Sequence, residues 1–141
     1  MTEHATEEHR RRALAIVQSI GKTQIESRWF TADASVWTPG GTMSAQEYVE
    51  VAGSVRHIFT TPLRMQVLHS AADGQLVMIR AASSGVLNDG VEYTNNYVFT
   101  AQFNADGLIH AFEEFFDTAR AHATIIPALM RWRAEQSGTP N

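Results

Sequence analysis

The chain has 141 residues with 15 acidic against 11 basic side chains and a formal net charge of −4, a balance that argues against a nucleic-acid binder relying on phosphate neutralisation. It is long enough to bury a core as one domain. With no cysteine it excludes disulfides, thiolate nucleophiles and Cys-ligated zinc, which fits a reducing cytoplasm, the location expected here.

At the N-terminus, Ala13, Ile16, Val17 and Ile20 make an apolar stripe at helical spacing, continued by Ile25 and Trp29 after a break at Gly21. The basic run Arg10 to Arg12 is balanced by Glu3, Glu7 and Glu8 and reads as the solvated start of that helix. Gln18 and Ser19 interrupt the apolar stretch after Arg12, so neither a secretory signal nor a membrane span is expected. A short strand follows at 34–38 (ASVWT), stopped by Pro39, Gly40 and Gly41. Ser44 and Glu47 form a capping-box pattern opening a second helix, whose buried stripe is Tyr48, Val51, Ala52, Val55 and Phe59. His57, late in that helix, can reach a cleft mouth, or cap or sit on the surface.

The second half is punctuated by Asp73-Gly74, Asp89-Gly90 and Asp106-Gly107, pairs that supply the positive-φ positions of tight hairpins. Four antiparallel strands are predicted at 63–72, 75–87, 91–104 and 107–117, with Gly85 as a bend or bulge. A last helical segment over 118–136 is predicted to kink near Pro127. The order implies an α+β fold, with N-terminal helices packed on a curved antiparallel sheet that leaves a concave cleft for a small ligand. One domain is expected over 1–141, with a core at about 8–131 and flexible termini.

The segment GLIHAFEEFFDT carries two adjacent carboxylates, Glu113 and Glu114. Strand alternation sets His110, Phe112, Glu114 and Phe116 on one face and Ile109, Ala111, Glu113, Phe115 and Asp117 on the other. On 91–104, Tyr93, Asn95, Tyr97, Phe99 and Phe103 share a face, as do Arg80, Ala82 and Ser84 on 75–87. Spacing alone does not say which faces point inward. The six histidines show no His-x-His or His-Glu-x-x-His grouping, so no metal is expected. No phosphate-binding glycine loop, Gly-x-Ser-x-Gly elbow or dinucleotide fingerprint is present, which disfavours nucleotide cofactors and hydrolase triads.

The segments VWTPGG, AADGQLVMIRAASSG, DGVEYTNNYVFTAQFNADGLI and EEFFDT resemble the SnoaL-like and ketosteroid-isomerase-related branch of the nuclear-transport-factor-2-like superfamily, over roughly residues 10 to 120. The resemblance implies a cone-shaped α+β barrel, with the Glu114 face toward the cleft and the Glu113 face outward against a second protomer. A homodimer is therefore expected, since Ile109, Ala111 and Phe115 would otherwise form an exposed apolar patch. Carried over to this chain, the isomerase's general base falls at Thr38 and its protonated Asp near Phe99. Neither residue can do that chemistry, so steroid isomerisation is not expected. The phenazine-biosynthesis A/B proteins give a closer local likeness, a pocket Glu followed by Phe, here Glu114 and Phe115.

The implied site has Glu114 as proton shuttle between Phe112 and Phe116, its pKa raised by desolvation unless Arg80 pairs with it. Thr38, Arg80, Tyr93, Asn95, Phe99, Phe112 and Phe116 are the expected ligand contacts, with no metal and no cofactor. Tyr93 and Asn95 can orient a carbonyl or hydroxyl group, or serve packing. Arg80 is either the partner of Glu114 or an anchor for an anion, unless its face is exposed. Glu114 itself can be a structural carboxylate. Three functions stay open: a cofactor-independent isomerase, cyclase or dehydratase acting on a small, apolar or partly polar carbonyl compound; a non-catalytic ligand-binding or structural member; and an assembly module whose cleft is filled by Trp29, Trp37 and phenylalanines. Nucleic-acid and membrane partners are not expected.

Overall fold

In a computed structural model that describes residues 2–138, the chain opens with helix α1 (Glu3–Ser19), capped by the Thr2 hydroxyl, which accepts from Ala5 N. A 3-10 turn (Ser27–Trp29) leads into strand β1 (Phe30–Thr38), which pairs with β2 (Gly41–Ser44). Helix α2 (Ala45–Ser54) follows, then the strands β3 (Phe59–Asp73), β4 (Leu76–Leu87), β5 (Glu92–Phe103) and β6 (Ile109–Phe116), and finally α3 (Thr118–Ala123) and α4 (Ile125–Gln136). Of the termini expected outside 8–131, Met1 and residues 139–141 lie outside the described residues, whereas Glu3 to Glu7 belong to α1 and Trp132 to Gln136 to α4.

The six strands form one sheet in the order β2-β1-β6-β5-β4-β3. The meander β3 to β6 is antiparallel, as expected, but β1 joins the free edge of β6 in parallel, so the sheet is mixed. That pairing joins segments distant in sequence, and nothing local to either strand encodes it. Gly74, Gly90 and Gly107 take φ of 62°, 88° and 78°, the left-handed values the Asp-Gly turns require.

The ladders shift register once between β1 and β6, three times between β3 and β4 and once between β5 and β6, and two of these shifts bear on the site. The first lies opposite Gly85: Thr61 pairs Val86 and Arg64 pairs Ser84, so the extra residue is in β3 rather than at the glycine. Gly85 makes room for it, because a Cβ there would sit 2.9 Å from the Phe59 ring and 3.1 Å from Leu63 Cα. The second is in β6. Phe103 pairs Ile109 while Gln102 pairs Ala111, which leaves His110 as the extra residue of a bulge. The strict alternation expected for β6 therefore fails at its start: Ile109 is buried and His110 exposed, and only from Phe112 onward do even positions face inward.

The core lies between α1, α2 and the concave face of the sheet, around Val17, Val36, Ile79, Phe99, Phe103 and Phe112. His9 stacks on Phe103 at 4.5 Å with its Nδ1 3.2 Å from the Gly74 carbonyl, and Arg12 donates to the Gly107 carbonyl at 2.7 Å. These contacts tie α1 to the β3–β4 and β5–β6 turns. The C-terminal helical segment breaks at Thr124 (φ −135°, ψ −74°), within one turn of Pro127 as expected, since the proline has no N–H for the Ala123 carbonyl four residues back. Pro127 sits in the first turn of α4, where a missing N–H leaves no intrahelical bond unmade.

Candidate functional site

Between α2, the inner face of the sheet and α4 lies a cavity of about 110 Å³. Val51 and Val55 from the α2 side, Met65 of β3, Phe116 of β6 and Ile125, Ile126 and Leu129 of α4 make most of its wall. The polar atoms reaching it come from Tyr48, Tyr93, Tyr97 and Glu114. Among the described residues no cationic side chain lines it.

Glu114 arrives on β6 opposite Phe99, past the bulge that sets it inward. Tyr48, in the first turn of α2, donates from its hydroxyl to Glu114 Oε1 at 3.1 Å. The Ser44 hydroxyl fixes that turn by accepting from Glu47 N at 3.1 Å. Burial pushes the Glu114 carboxyl from 4.5 up to about 7, and the Tyr48 hydrogen bond opposes only part of the rise. Burial, together with the charge of Glu114, raises the pKa of Tyr48, Tyr93 and Tyr97, so all three remain protonated donors at neutral pH. Glu113, on the outer face, instead accepts from Thr100 Oγ1 at 2.7 Å.

The remaining expected contacts separate. Tyr93 and Phe116 line the cavity with Glu114. Phe99 and Phe112 lie beneath it in the core, with the Phe112 ring 5.6 Å from that of Tyr48. Asn95, 1% exposed, is consumed by backbone and by Tyr93 and joins β5 to the start of α3 rather than facing the cavity. The Thr38 hydroxyl closes the β1–β2 turn, accepting from Gly40 N at 3.1 Å. Arg80 lies on the outer face, because the inward positions of β4 are Val77, Ile79, Ala81 and Ser83. It donates to the Ala81 carbonyl at 3.2 Å and does not meet Glu114. His57 stacks on Trp132 of α4 at 4.8 Å.

Two hydroxyl-bearing residues outside the expected contact set, Tyr48 and Tyr97, belong to the cavity. Tyr48 stood in the buried stripe of the capped helix, and Tyr97 on the inward face of β5. Alternation and helical spacing located both without marking their hydroxyls as functional. Neither Trp29 nor Trp37 fills the cleft: Trp29 lies under the Arg12 and Arg28 guanidinium groups, and Trp37 packs on Phe115 outside the sheet. Among the described residues no group of His, Asp and Glu could hold a metal ion, and no helix is long and apolar enough to cross a membrane.

No family model matches the chain, and neither does any curated relative. Solved structures do. An NTF2-like protein from Anabaena variabilis superposes with a TM-score of 0.70 over 83% of this chain and 94% of its own, at 16% identity. The fold is that of the nuclear-transport-factor-2-like superfamily. A protein assigned as a SnoaL-like polyketide cyclase from Jannaschia gives a TM-score of 0.72 at 13% identity, covering 89% of this chain and 96% of its own. A Catenulispora acidiphila protein with a ketosteroid-isomerase-like fold, solved with trimethylamine, gives 0.65 at 14% identity over 91% and 92%. In this NTF2-like cone the bulged last strand of the meander and the first turn of α2 bring a carboxylate and a phenol together at the cavity.

Proposed function

We propose that the protein binds a small, largely apolar carbonyl compound in this cavity and acts on it by cofactor-independent proton transfer, in the manner of an isomerase, cyclase or dehydratase. The observation that carries the reading is Glu114, whose carboxyl is pushed to about 7 in an apolar cavity and held by Tyr48. A group with that pKa is populated both as base and as acid near neutral pH. The carboxylate removes a proton from a carbon next to the carbonyl, leaving the electron pair in an enolate, and the resulting acid returns the proton to another carbon. The tyrosine hydroxyls offer donors for the enolate oxygen. The isomerase pair is missing at Thr38 and Phe99, and Arg80 is not at hand for an anion.

Exchange of α-protons for deuterium in cyclohexenone and acetophenone, followed by NMR, tests the reading. Wild type and Glu113→Gln exchange above the buffer rate, and Glu114→Gln does not. Equal exchange by all three refutes it. A second reading, binding without turnover, is favoured by the existing Tyr48–Glu114 bond, which occupies one carboxylate oxygen; binding without exchange supports that reading instead. We propose further that the protein is cytoplasmic and a homodimer formed through the outer sheet face. There Trp37 (37% exposed), Met78 (47%) and Phe115 (40%) present apolar surface.

A further inference from the structure

We infer that Tyr97 is the hydrogen-bond donor that fixes the ligand's carbonyl oxygen, at the end of a directed chain that begins at Asn95. The inference rests on the cavity being the ligand site and adds which group orients the ligand there. The orientation of the Asn95 amide is determined by its partners: Oδ1 accepts from the backbone N–H of Asn96 (2.7 Å) and of Asp117 (3.1 Å). The opposite end must then be the NH₂, which donates to the Asp117 carbonyl at 3.0 Å and to Tyr93 Oη at 2.8 Å.

Tyr93 Oη thus receives a proton from Asn95, and Tyr97 Oη stands 2.8 Å away. Tyr93 is 2% exposed, and among the described residues Tyr97 Oη is the remaining acceptor for its own proton. If Tyr97 donated to Tyr93 instead, the proton left over would be on Tyr93, the more deeply buried of the two at 2% exposed against 6% for Tyr97. The chain therefore runs Asn95 to Tyr93 to Tyr97, each accepted bond strengthening the next donor. Ser83 Oγ, buried on the neighbouring strand without a hydrogen bond of standard geometry, adjoins the same Tyr97 hydroxyl.

Ser83 acts on Tyr97 in the sense of a donor to its oxygen, so the proton left unspent is that of Tyr97, which lines the cavity with Glu114. The cavity then has a donor on β5 and an acid–base pair on β6 and α2. A neutral ligand places its carbonyl oxygen at Tyr97 and its acidic carbon toward Glu114. An anion is unsuited, since the cavity wall holds a carboxylate and no cation.

Paired probes test this: acetophenone and α-methylstyrene, which share a shape and differ in the carbonyl oxygen. By ligand-observed NMR, wild type prefers the ketone by about five- to tenfold, the worth of one hydrogen bond. In Tyr97→Phe the preference falls to within twofold while α-methylstyrene binds as before, which also reports an intact cavity. The ¹³C carbonyl resonance of bound acetophenone moves back toward its apolar-solvent position in Tyr97→Phe and not in Tyr48→Phe. Retention of the preference in Tyr97→Phe, or its loss only in Tyr48→Phe, overturns the assignment. Equal binding of both probes by wild type overturns the assignment alone. No binding of either removes the cavity reading as well.

Discussion

Replacing Glu114 by Gln should make the stability of the protein less sensitive to pH, in a direction set by the site. In the unfolded chain the carboxyl titrates near 4.5; in the folded protein burial moves it to about 7. Below 4.5 both states are protonated and the group contributes no difference. Between 4.5 and 7 the native state holds a proton that the unfolded state has lost, so stability falls as pH rises, and above 7 it levels off. Shifts of this size correspond to about 3 kcal/mol across the window, at 1.36 kcal/mol per pK unit. The groups facing Glu114 do not mask the effect: Tyr48, Tyr93 and Tyr97 titrate far above it, and the α4 wall is Ile125, Ile126 and Leu129. Gln keeps the volume and an oxygen for Tyr48 but cannot ionise. Urea unfolding at several pH values between 4 and 8 should show Glu114→Gln gaining on wild type by about 3 kcal/mol from the acid to the alkaline end. Glu113→Gln should track wild type throughout. Parallel curves for Glu114→Gln and wild type would mean that the carboxylate is well solvated and that the acid–base argument for the cavity is wrong.

Tyr48→Phe removes the bond that holds the Glu114 pKa down, so the midpoint of the pH–rate profile for α-proton exchange should move upward; an unmoved midpoint counts against their coupling. Phe115→Glu puts a charge into the apolar patch with Trp37, and sedimentation at micromolar concentration should show dimer becoming monomer; a wild-type monomer refutes the interface. Gly21→Ala should destabilise by about 2–4 kcal/mol, since a Cβ there meets both left-handed strain at φ 83° and Leu63 Cβ at 2.6 Å. Gly74→Ala, strained at φ 62° but with nothing within 4 Å, should cost about 1–2 kcal/mol by urea unfolding, and equal losses would show that the Leu63 contact relaxes freely.

Much of the fold was legible because its signals are local. Each Asp-Gly pair fixes a turn through backbone conformations that glycine alone adopts freely, and the β-branched runs between them had nowhere to go but hairpins. The capped start of α2 was legible for the same reason. What escaped were features that depend on two distant segments at once. The parallel seating of β1 on β6 follows from the meander's leaving an edge open. The β3 bulge opposite Gly85 was signalled by the glycine but assigned to its own strand, since a glycine marks close approach without saying which backbone does the bulging. Pro127 marked the interruption of the last helical segment, but not that the chain would leave the helix at Thr124, a turn earlier.

The site divides along the same line. Alternation grouped Glu114 with Phe112 and Phe116 and separated it from Glu113, because those positions lie beyond the His110 bulge, where period two holds. Arg80 shows the limit of the method: the even residues of β4 and of β6 form equally good faces in the sequence, yet they end on opposite sides of the sheet. A face is decided by register across neighbouring strands, and Phe99 opposite Glu114 and Ile79 opposite Phe99 carry the inward set from β6 to the odd positions of β4. Had Arg80 shared the cavity, its charge would have drawn Glu114 back into the ordinary carboxylate range and left a structural ion pair. The residue that does meet the carboxylate is a phenol, which can stabilise it without fixing its charge, and a carboxyl held in that way remains free to gain or lose a proton near neutrality.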